Sequence, residues 1–555
     1  MVFSIHISRA LLLLSLTSVA VSSQHSGGNS LDATPPTVVL DKATVVGKVD
    51  DTTGTIQFLG IPFAEPPVGN LRLRLPVPLG PYGTGTINAT TFGNQCVQQV
   101  QPAQALPSGF PSAGAQRLAG AGTPPPQAQV VPQDEDCLNV NVIMPANVTA
   151  DSKLPVALGT GENVVQRSVQ LDHPLIFVAP NYRLNAFGFL GGKELKAADA
   201  TNLGLHDQRV AFRWVQKYIS QFGGDPTKVM IWGESAGAQS VGLQMLVNGG
   251  DTEGLFRAAF MESGAPTPEG FVDNAFLQAT FDQFVIDAGC GGSADPVACL
   301  RTVSVDAFTQ AANKAPTLFS FMAMEPPERQ VLTGRVANIP FVSGNQKDEG
   351  TLFSFDNINI TTDDEFFNYV QSSFFPNVGS AKIKRLLELY PSDPAAGSPF
   401  GTGDNFAFTP EFKRMAALQG DLLFIAPRRL LTKTFAERQP VFSFYANQSM
   451  NVQWATSMES KDWASYVSPS WPPHASDLQD VFGPPGQGNL QDYLIRFATT
   501  LDPNGDGAVV WPRYTNKEPS LLTLNDGDPA VNITLDVFRA EAMAFLTELC
   551  LEDPM

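Results

Sequence analysis

The stretch from Val229 to Gly242 confines this 555-residue chain more than any other. An apolar run, Val229-Met230-Ile231-Trp232, leads into Gly233-Glu234-Ser235-Ala236-Gly237, and a small-residue helical stretch, Ala236 to Gly242, leaves it. Strand, sharp turn and helix are the context that makes Gly-x-Ser-x-Gly a nucleophile elbow, with the serine hydroxyl lifted above a sheet. The serine of such a turn sits at a strained φ/ψ, so glycines are expected at both ends, where a Cβ would clash. The elbow also aims the amide of Ala236 at the oxygen that gains charge during attack. An ordinary turn is the plain alternative in a chain with 47 glycines, and the flanks argue against it.

A serine at neutral pH needs a hydrogen-bonded base, usually histidine. The chain has five histidines, His6, His25, His173, His206 and His474. In the chain order that goes with this elbow, the acid and then the histidine follow the serine. Only His474 does so. His6 falls in a leader, His25 in a polar tail, His173 in a turn before a buried strand, and His206 at the start of an amphipathic helix. The acid is less constrained. Ile339 to Ser343 reads as a buried strand, and Asp348 and Glu349 in the loop after it both qualify on position.

Further runs, Leu154–Leu158, Leu175–Ala179 and Val441–Tyr445, are short, apolar and unalternating, as strands covered on both faces must be. Between two of them Val210, Ala211, Trp214, Val215, Tyr218 and Ile219 repeat on one helical face, and Gly223-Gly224 ends it. Such alternation predicts a large, mostly parallel α/β sheet. With 43% apolar and 16% charged residues the chain can bury a sizeable core and is too apolar for disorder. No polar linker divides residues 24–555, which read as one large domain.

Met1 to about Ser23 has the form of a secretory leader, with Arg9 ahead of an apolar stretch too short to span a bilayer. Secretion permits disulfides. Cys290 and Cys299, close in sequence, are expected to pair, and Cys550 is left over as a buried thiol near the end of the last helix. Asn88, Asn147, Asn359, Asn447 and Asn532 all stand in Asn-x-Ser/Thr sequons, candidate glycosylation sites of a secreted chain. A net charge of −19 argues against nucleic acid or anionic membranes as partners. No His/Cys spacing suits a metal and no glycine loop suits a phosphate, so no cofactor is expected.

Several segments together resemble the type-B carboxylesterase/lipase family. Gly60-Ile61-Pro62-Phe63-Ala64-Glu65-Pro66-Pro67-Val68-Gly69 and Glu135-Asp136-Cys137-Leu138-Asn139 match its signatures, and Phe222-Gly223-Gly224-Asp225-Pro226 leads into the elbow as it does there. Gly289-Cys290-Gly291, Ala298-Cys299-Leu300-Arg301, Gly397-Ser398-Pro399-Phe400 and Thr409-Pro410-Glu411-Phe412-Lys413-Arg414 resemble its fungal, Candida rugosa-type branch of lipases and sterol esterases. The resemblance implies an α/β-hydrolase fold and an Asp-Glu-Gly-Thr motif whose glutamate, here Glu349, is the acid. It implies His474 as base, in agreement with the elimination, and a Cys96–Cys137 disulfide. It further implies that the loop closed by Cys96 and Cys137 is a lid. From Val97 to Gln133 that loop carries one charge, Arg117, and seven prolines, which forbid one long helix. Such a segment suits contact with lipid or cover for an apolar tunnel, and a surface linker is the alternative.

One stretch departs from the family. Where it has a Gly-Gly-Gly-Phe run whose amides form most of the oxyanion hole, this chain reads Leu158-Gly159-Thr160-Gly161-Glu162 and is shorter by about a dozen residues. Losing one oxyanion donor typically costs about 3 kcal/mol, or 10²–10³ in rate. Gly159 and Gly161 are the candidates to join Ala236 as donors. Two readings stand: a short loop partly replaced by these glycines, or a coding segment missing from the sequence. The expected activity is hydrolysis of apolar carboxylic esters, acylglycerols or sterol esters, through Ser235, His474 and Glu349. The alternatives are an esterase of water-soluble esters and an impaired or non-catalytic binding protein on the same fold.

Overall fold

Among the described residues the chain forms fourteen strands: β1 Thr37–Leu40, β2 Ala43–Val46, β3 Lys48–Asp50, β4 Thr55–Pro62, β5 Gly85–Asn88, β6 Asn139–Pro145, β7 Leu154–Leu158, β8 Ile176–Pro180, β9 Gly224–Glu234, β10 Ala258–Glu262, β11 Phe341–Gln346, β12 Val441–Asn447, β13 Ser520–Asn525 and β14 Val531–Leu535. The computed structural model describes residues 34–100, 131–158, 161–315, 326–449 and 471–555. The leader, Arg117 with most of the expected lid, and Gly159 lie outside the described residues.

Eleven strands form one sheet in the order β14-β13-β12-β11-β10-β9-β7-β8-β6-β4-β3, and β1, β2 and β5 form a small second sheet. From β8 to β13 every neighbouring pair runs parallel. The flanks, β13 with β14 and β8 through β6 and β4 to β3, are antiparallel. The expected α/β-hydrolase architecture, a large and mostly parallel sheet, is what the chain forms.

The absence of alternation in the central strands has a plain cause. Successive side chains leave a strand on opposite faces, and here both faces are covered. Val229 and Ile231 join one apolar cluster with Val210, Trp214 and Val215 of the helix Leu203–Tyr218 (α2). Met230 and Trp232 join another with Phe177, Phe482, Leu494 and Phe497 on the opposite face. Burying one such side chain contributes about 1.5–3 kcal/mol, so the sheet's centre is where the fold is most strongly held. α2 ends in a short 3-10 turn, Ile219–Phe222, closed by Gly223 at φ 82°. A Cβ at Gly223 would also stand 2.4 Å from the Thr149 carbonyl oxygen.

Buried ion pairs tie together the segments that flank the sheet. Arg72 meets Glu135 through two hydrogen bonds, and Arg183 meets Asp207 likewise. Near β14, Arg428 and Arg429 converge on Asp536. Burial alone would favour the neutral acid there, but the two guanidiniums outweigh it and hold Asp536 far below the usual carboxylate range. Cys550 is buried in the last helix, Ala540–Glu552. Among the described residues no helix is long and apolar enough to cross a membrane.

Candidate active site

β9 ends at Glu234 and the helix Ala236–Gln244 (α3) begins one residue after Ser235. Ser235 itself holds φ 54° and ψ −122°, a conformation side chains rarely adopt. Two main-chain bonds keep it there. Its amide donates to the Glu262 carbonyl at 2.9 Å, and its carbonyl accepts from Gln239 at 2.9 Å. The glycine requirement is one-sided. A Cβ on Gly233 would lie 2.3 Å from the Gly237 carbonyl carbon, whereas one on Gly237 meets nothing within 4 Å. The expectation that both ends of the turn exclude a Cβ therefore holds at Gly233 alone. Gly264, just past β10, supports the elbow from the next strand, since its Cβ would stand 2.8 Å from the Ser235 carbonyl oxygen.

Two loops bring the other candidates over Ser235. β11 delivers the loop with Asp348 and Glu349, and the segment Trp471–His474 follows alongside, with Asp348 and Pro473 paired in a parallel bridge. His474 Nε2 lies 2.8 Å from Ser235 Oγ, and Nδ1 lies 2.6 Å from Glu349 Oε2. A carboxylate can only accept, so the Nδ1 bond places the imidazole proton there and leaves Nε2 free to accept from the serine. Glu349 Oε1 accepts from the Gln346 amide at 2.7 Å and from Asn345 Nδ2 at 3.3 Å. The rings of Phe353 and Phe424 pack against the imidazole with centroids 5.1 and 4.7 Å away. All three side chains are buried, Ser235 at 4%, Glu349 at 1% and His474 at 1% exposure. The neighbouring Asp348 turns the other way, its Oδ1 accepting from Ser398 Oγ and the Phe400 amide.

Beneath this arrangement lies a group of buried carboxyls that the sequence did not announce. Glu234 Oε1 stands 3.5 Å from His474 Nε2. Burial first, then the negative charges of Asp477, Glu262 and Glu349, push Glu234 well above the usual carboxylate range. Burial and Asp477 do the same to Glu262, whose carboxylate accepts from Trp232 Nε1. Asp477 is pushed up to about 8 by burial, with Glu349 and Asp480 adding to it. The low-dielectric surroundings thus favour the neutral form of these three acids. Among the described residues no group of three His, Cys, Asp or Glu is arranged to hold a metal.

The remaining candidates are placed as follows. β7 pairs with β9 through Leu158 and Ile231, so the chain leaving β7 emerges beside the elbow. Gly161 caps the N-terminus of the helix Glu162–Gln170 (α1), and a Cβ there would crowd Val164 and Phe482 at 2.9 and 3.1 Å. Disulfides join Cys96 to Cys137 and Cys290 to Cys299. The described ends of the expected lid are anchored: Gln95 donates to the Pro132 carbonyl, Gln98 to Gln133 Oε1, and Val100 to Asn313 Oδ1. Asn88, Asn147 and Asn359 are exposed, whereas Asn447 and Asn532 are half-buried and both engage Asn525.

Residues 34–538 match the Carboxylesterase family. A lipase of Diutina rugosa, Lipase 4, is 38% identical over 84% of this chain and 88% of its own length. Secreted lipase 1 of Botryotinia fuckeliana is 36% identical over 87% of this chain and 88% of its own. A secreted triacylglycerol lipase of Gibberella zeae is 34% identical over 92% and 90%. Among solved structures, Aspergillus niger EstA superposes with a TM-score of 0.74 at 25% identity, covering 94% of this chain and 99% of that one. Strand order, elbow and relatives agree, and the chain belongs to the carboxylesterase family, as a carboxylic ester hydrolase.

Proposed function

We propose that the protein is a secreted lipase-type esterase in which Ser235, His474 and Glu349 act as nucleophile, base and acid on esters of apolar acids or alcohols, acylglycerols and sterol esters among them. The observation that carries this is the unbroken line Ser235 Oγ–His474 Nε2 at 2.8 Å and His474 Nδ1–Glu349 Oε2 at 2.6 Å. As Oγ attacks the ester carbonyl, Nε2 takes its proton, and Glu349 steadies the imidazolium. The proton then passes to the departing alkoxide, leaving an acyl-serine. Water, deprotonated by the same nitrogen, attacks the acyl carbon and frees the acid and Ser235. The Ala236 amide at the start of α3, together with Gly159 or Gly161, is the proposed oxyanion hole.

The apolar setting of His474 between Phe353 and Phe424 supports a preference for apolar esters. Secretion is supported by the leader-like Met1–Ser23 and by relatives named as secreted lipases. Glycans are proposed on the exposed Asn88, Asn147 and Asn359. The segment between Cys96 and Cys137 is proposed as a lid in contact with the lipid interface. The decisive test is labelling with a fluorophosphonate, followed by turnover of emulsified tributyrin. Label on the wild type but not on Ser235→Ala, with turnover rising once an interface forms, is the expected result. Label without turnover would favour the second reading, an impaired enzyme, which the three residues between Leu158 and Glu162 motivate.

A further inference from the structure

The loop after β11 carries two adjacent carboxyls, and only one reaches His474. Asp348 is fully buried, and its Oδ1 accepts two hydrogen bonds, from Ser398 Oγ and from the Phe400 amide, both at 2.8 Å. Ser398 in turn meets Thr351 Oγ1 at 2.9 Å and donates its amide to the Lys413 carbonyl at 3.0 Å. The buried ammonium of Lys413 (1% exposed) gathers the rest of that turn, reaching Thr402 Oγ1, the Gly403 carbonyl and the Asn405 carbonyl at 2.6, 2.7 and 3.2 Å. The Asp348 main chain faces the other way. Its amide donates to the Pro472 carbonyl at 3.2 Å, and the residue pairs with Pro473, directly before His474.

Asp348 is therefore the crossing point of three segments: the acid loop, the base loop, and the Gly397–Asn405 turn. We propose that Asp348 is a positioning residue, whose ionised carboxylate pins the Ser398–Phe400 turn to the acid loop and thereby keeps Glu349 and His474 in register over Ser235. The proposal rests on the triad reading above.

A carboxylate accepts charge-assisted bonds about twice as strong as those to a neutral acid. Oδ2 has no hydrogen-bond partner and is where a proton would be taken up. Burial drives the uptake and pushes Asp348 up to about 6, against the bonds from Phe400 and Ser398 and the positive charges of Lys347 and Arg539. Lys413 and Tyr445 also face it, and Glu349 is its chain neighbour. Protonation weakens both bonds to the turn. The acid–base pair then loses the support of one side, and misplacing reacting groups by about 1 Å can cost 10² in rate.

The test is the pH profile of kcat for a soluble short-chain ester, measured on the wild type, Asp348→Asn, Ser398→Ala and the double variant. Ser235→Ala serves as the control: if it retains the wild-type turnover, the triad reading itself has failed. In the wild type the protonation of Asp348 adds to the acid-side loss, so log kcat should fall more steeply there than in a variant that lacks this carboxyl. Asp348→Asn is neutral at every pH. It should lower kcat at pH 8 about five- to tenfold, the gap between a charged and a neutral hydrogen bond, with KM little changed and an acid limb shallower than the wild type's. Ser398→Ala removes a donor to the carboxylate, which raises the Asp348 pKa, so its acid limb should move to higher pH. In the Asp348→Asn background the same change should move nothing. An Asp348→Asn enzyme with the wild-type acid limb overturns the proposal, whatever its melting temperature. If that variant does not fold, an unmoved acid limb in Ser398→Ala overturns it instead.

Discussion

The elbow offers a test in which two chemically identical substitutions should behave oppositely. Gly233 and Gly237 frame Ser235, and each can be changed to alanine. On Gly233 the new methyl would lie 2.3 Å from the Gly237 carbonyl carbon and 2.5 Å from its oxygen, both backbone atoms that cannot rotate away. Ordinary contact needs about 1 Å more, and the only route is to open the turn between β9 and α3, which moves Ser235. Overpacking of this kind costs about 1–3 kcal/mol of stability. The activity should suffer more, because Ser235 Oγ must stay within reach of Nε2 at its present 2.8 Å, and a misplacement of about 1 Å costs about 10² in rate. On Gly237 the methyl meets open space, and alanine favours a helix over glycine by about 0.5–1 kcal/mol. The assay is kcat/KM on p-nitrophenyl butyrate together with the melting temperature. Gly233→Ala should lose about a hundredfold in kcat/KM and melt lower. Gly237→Ala should stay within a few-fold and melt no lower than the parent. Equal losses in both variants, or an active Gly233→Ala, would refute the steric account of the elbow.

Replacing Ser235 or His474 by alanine should cut ester turnover by about 10⁴ or more, while Glu349→Gln should cost less because the imidazole is still held but its cation is not; steady-state kinetics decides. The melting temperature should be higher at pH 5 than at pH 8. Burial pushes Asp477 up to about 8 and Asp480 up to about 7, so in folding these acids gain protons; that stability is complete below their unfolded values and is lost as pH rises through the folded ones. Asp536 acts with the opposite sign, its contribution present above the unfolded carboxylate value and lost only as the pH falls through its lowered folded one, so a melting curve that instead climbs from pH 5 to 8 would contradict the burial of those carboxyls. Sequencing the transcript across Leu158–Gly161 should either reveal an inserted glycine-rich segment or confirm the short loop; in the second case, grafting a family-length loop after Leu158 should raise kcat by about 10²–10³ per recovered donor.

Much of this arrangement is legible in the sequence. Ser235 was marked by its flanks, and His474 by being the one histidine downstream of it. The central strands were visible because burial on both faces removes alternation, and α2 because its apolar positions share one face. Other features were not legible, for physical reasons. Asp348 and Glu349 are adjacent in one loop, and only the resemblance to the family's Asp-Glu-Gly-Thr motif pointed to Glu349; from position alone, which of them meets His474 depends on the direction each side chain leaves the backbone after β11. No pattern of residue types records that. Glu262 closes a strand and Asp477 sits three residues past the base, and both look like ordinary surface acids until the fold buries them together. The difference between Gly233 and Gly237 is likewise a matter of which side of the turn is crowded.

The bond between Cys96 and Cys137 has a consequence for how such a protein changes over time. The two strands of chain that meet there are fastened to each other by the Gln95–Pro132 and Asp134–Gln95 main-chain bonds and by the disulfide itself, and Arg72 ties Glu135 to a third segment. Whatever lies between begins and ends at one fixed point, so its length and composition can drift without displacing any strand of the sheet. Doubling a flexible loop costs only about 0.6 kcal/mol in closure entropy. The clasp thus makes the segment an exchangeable cassette, whose residues can be rewritten while the sheet behind it stays as it is.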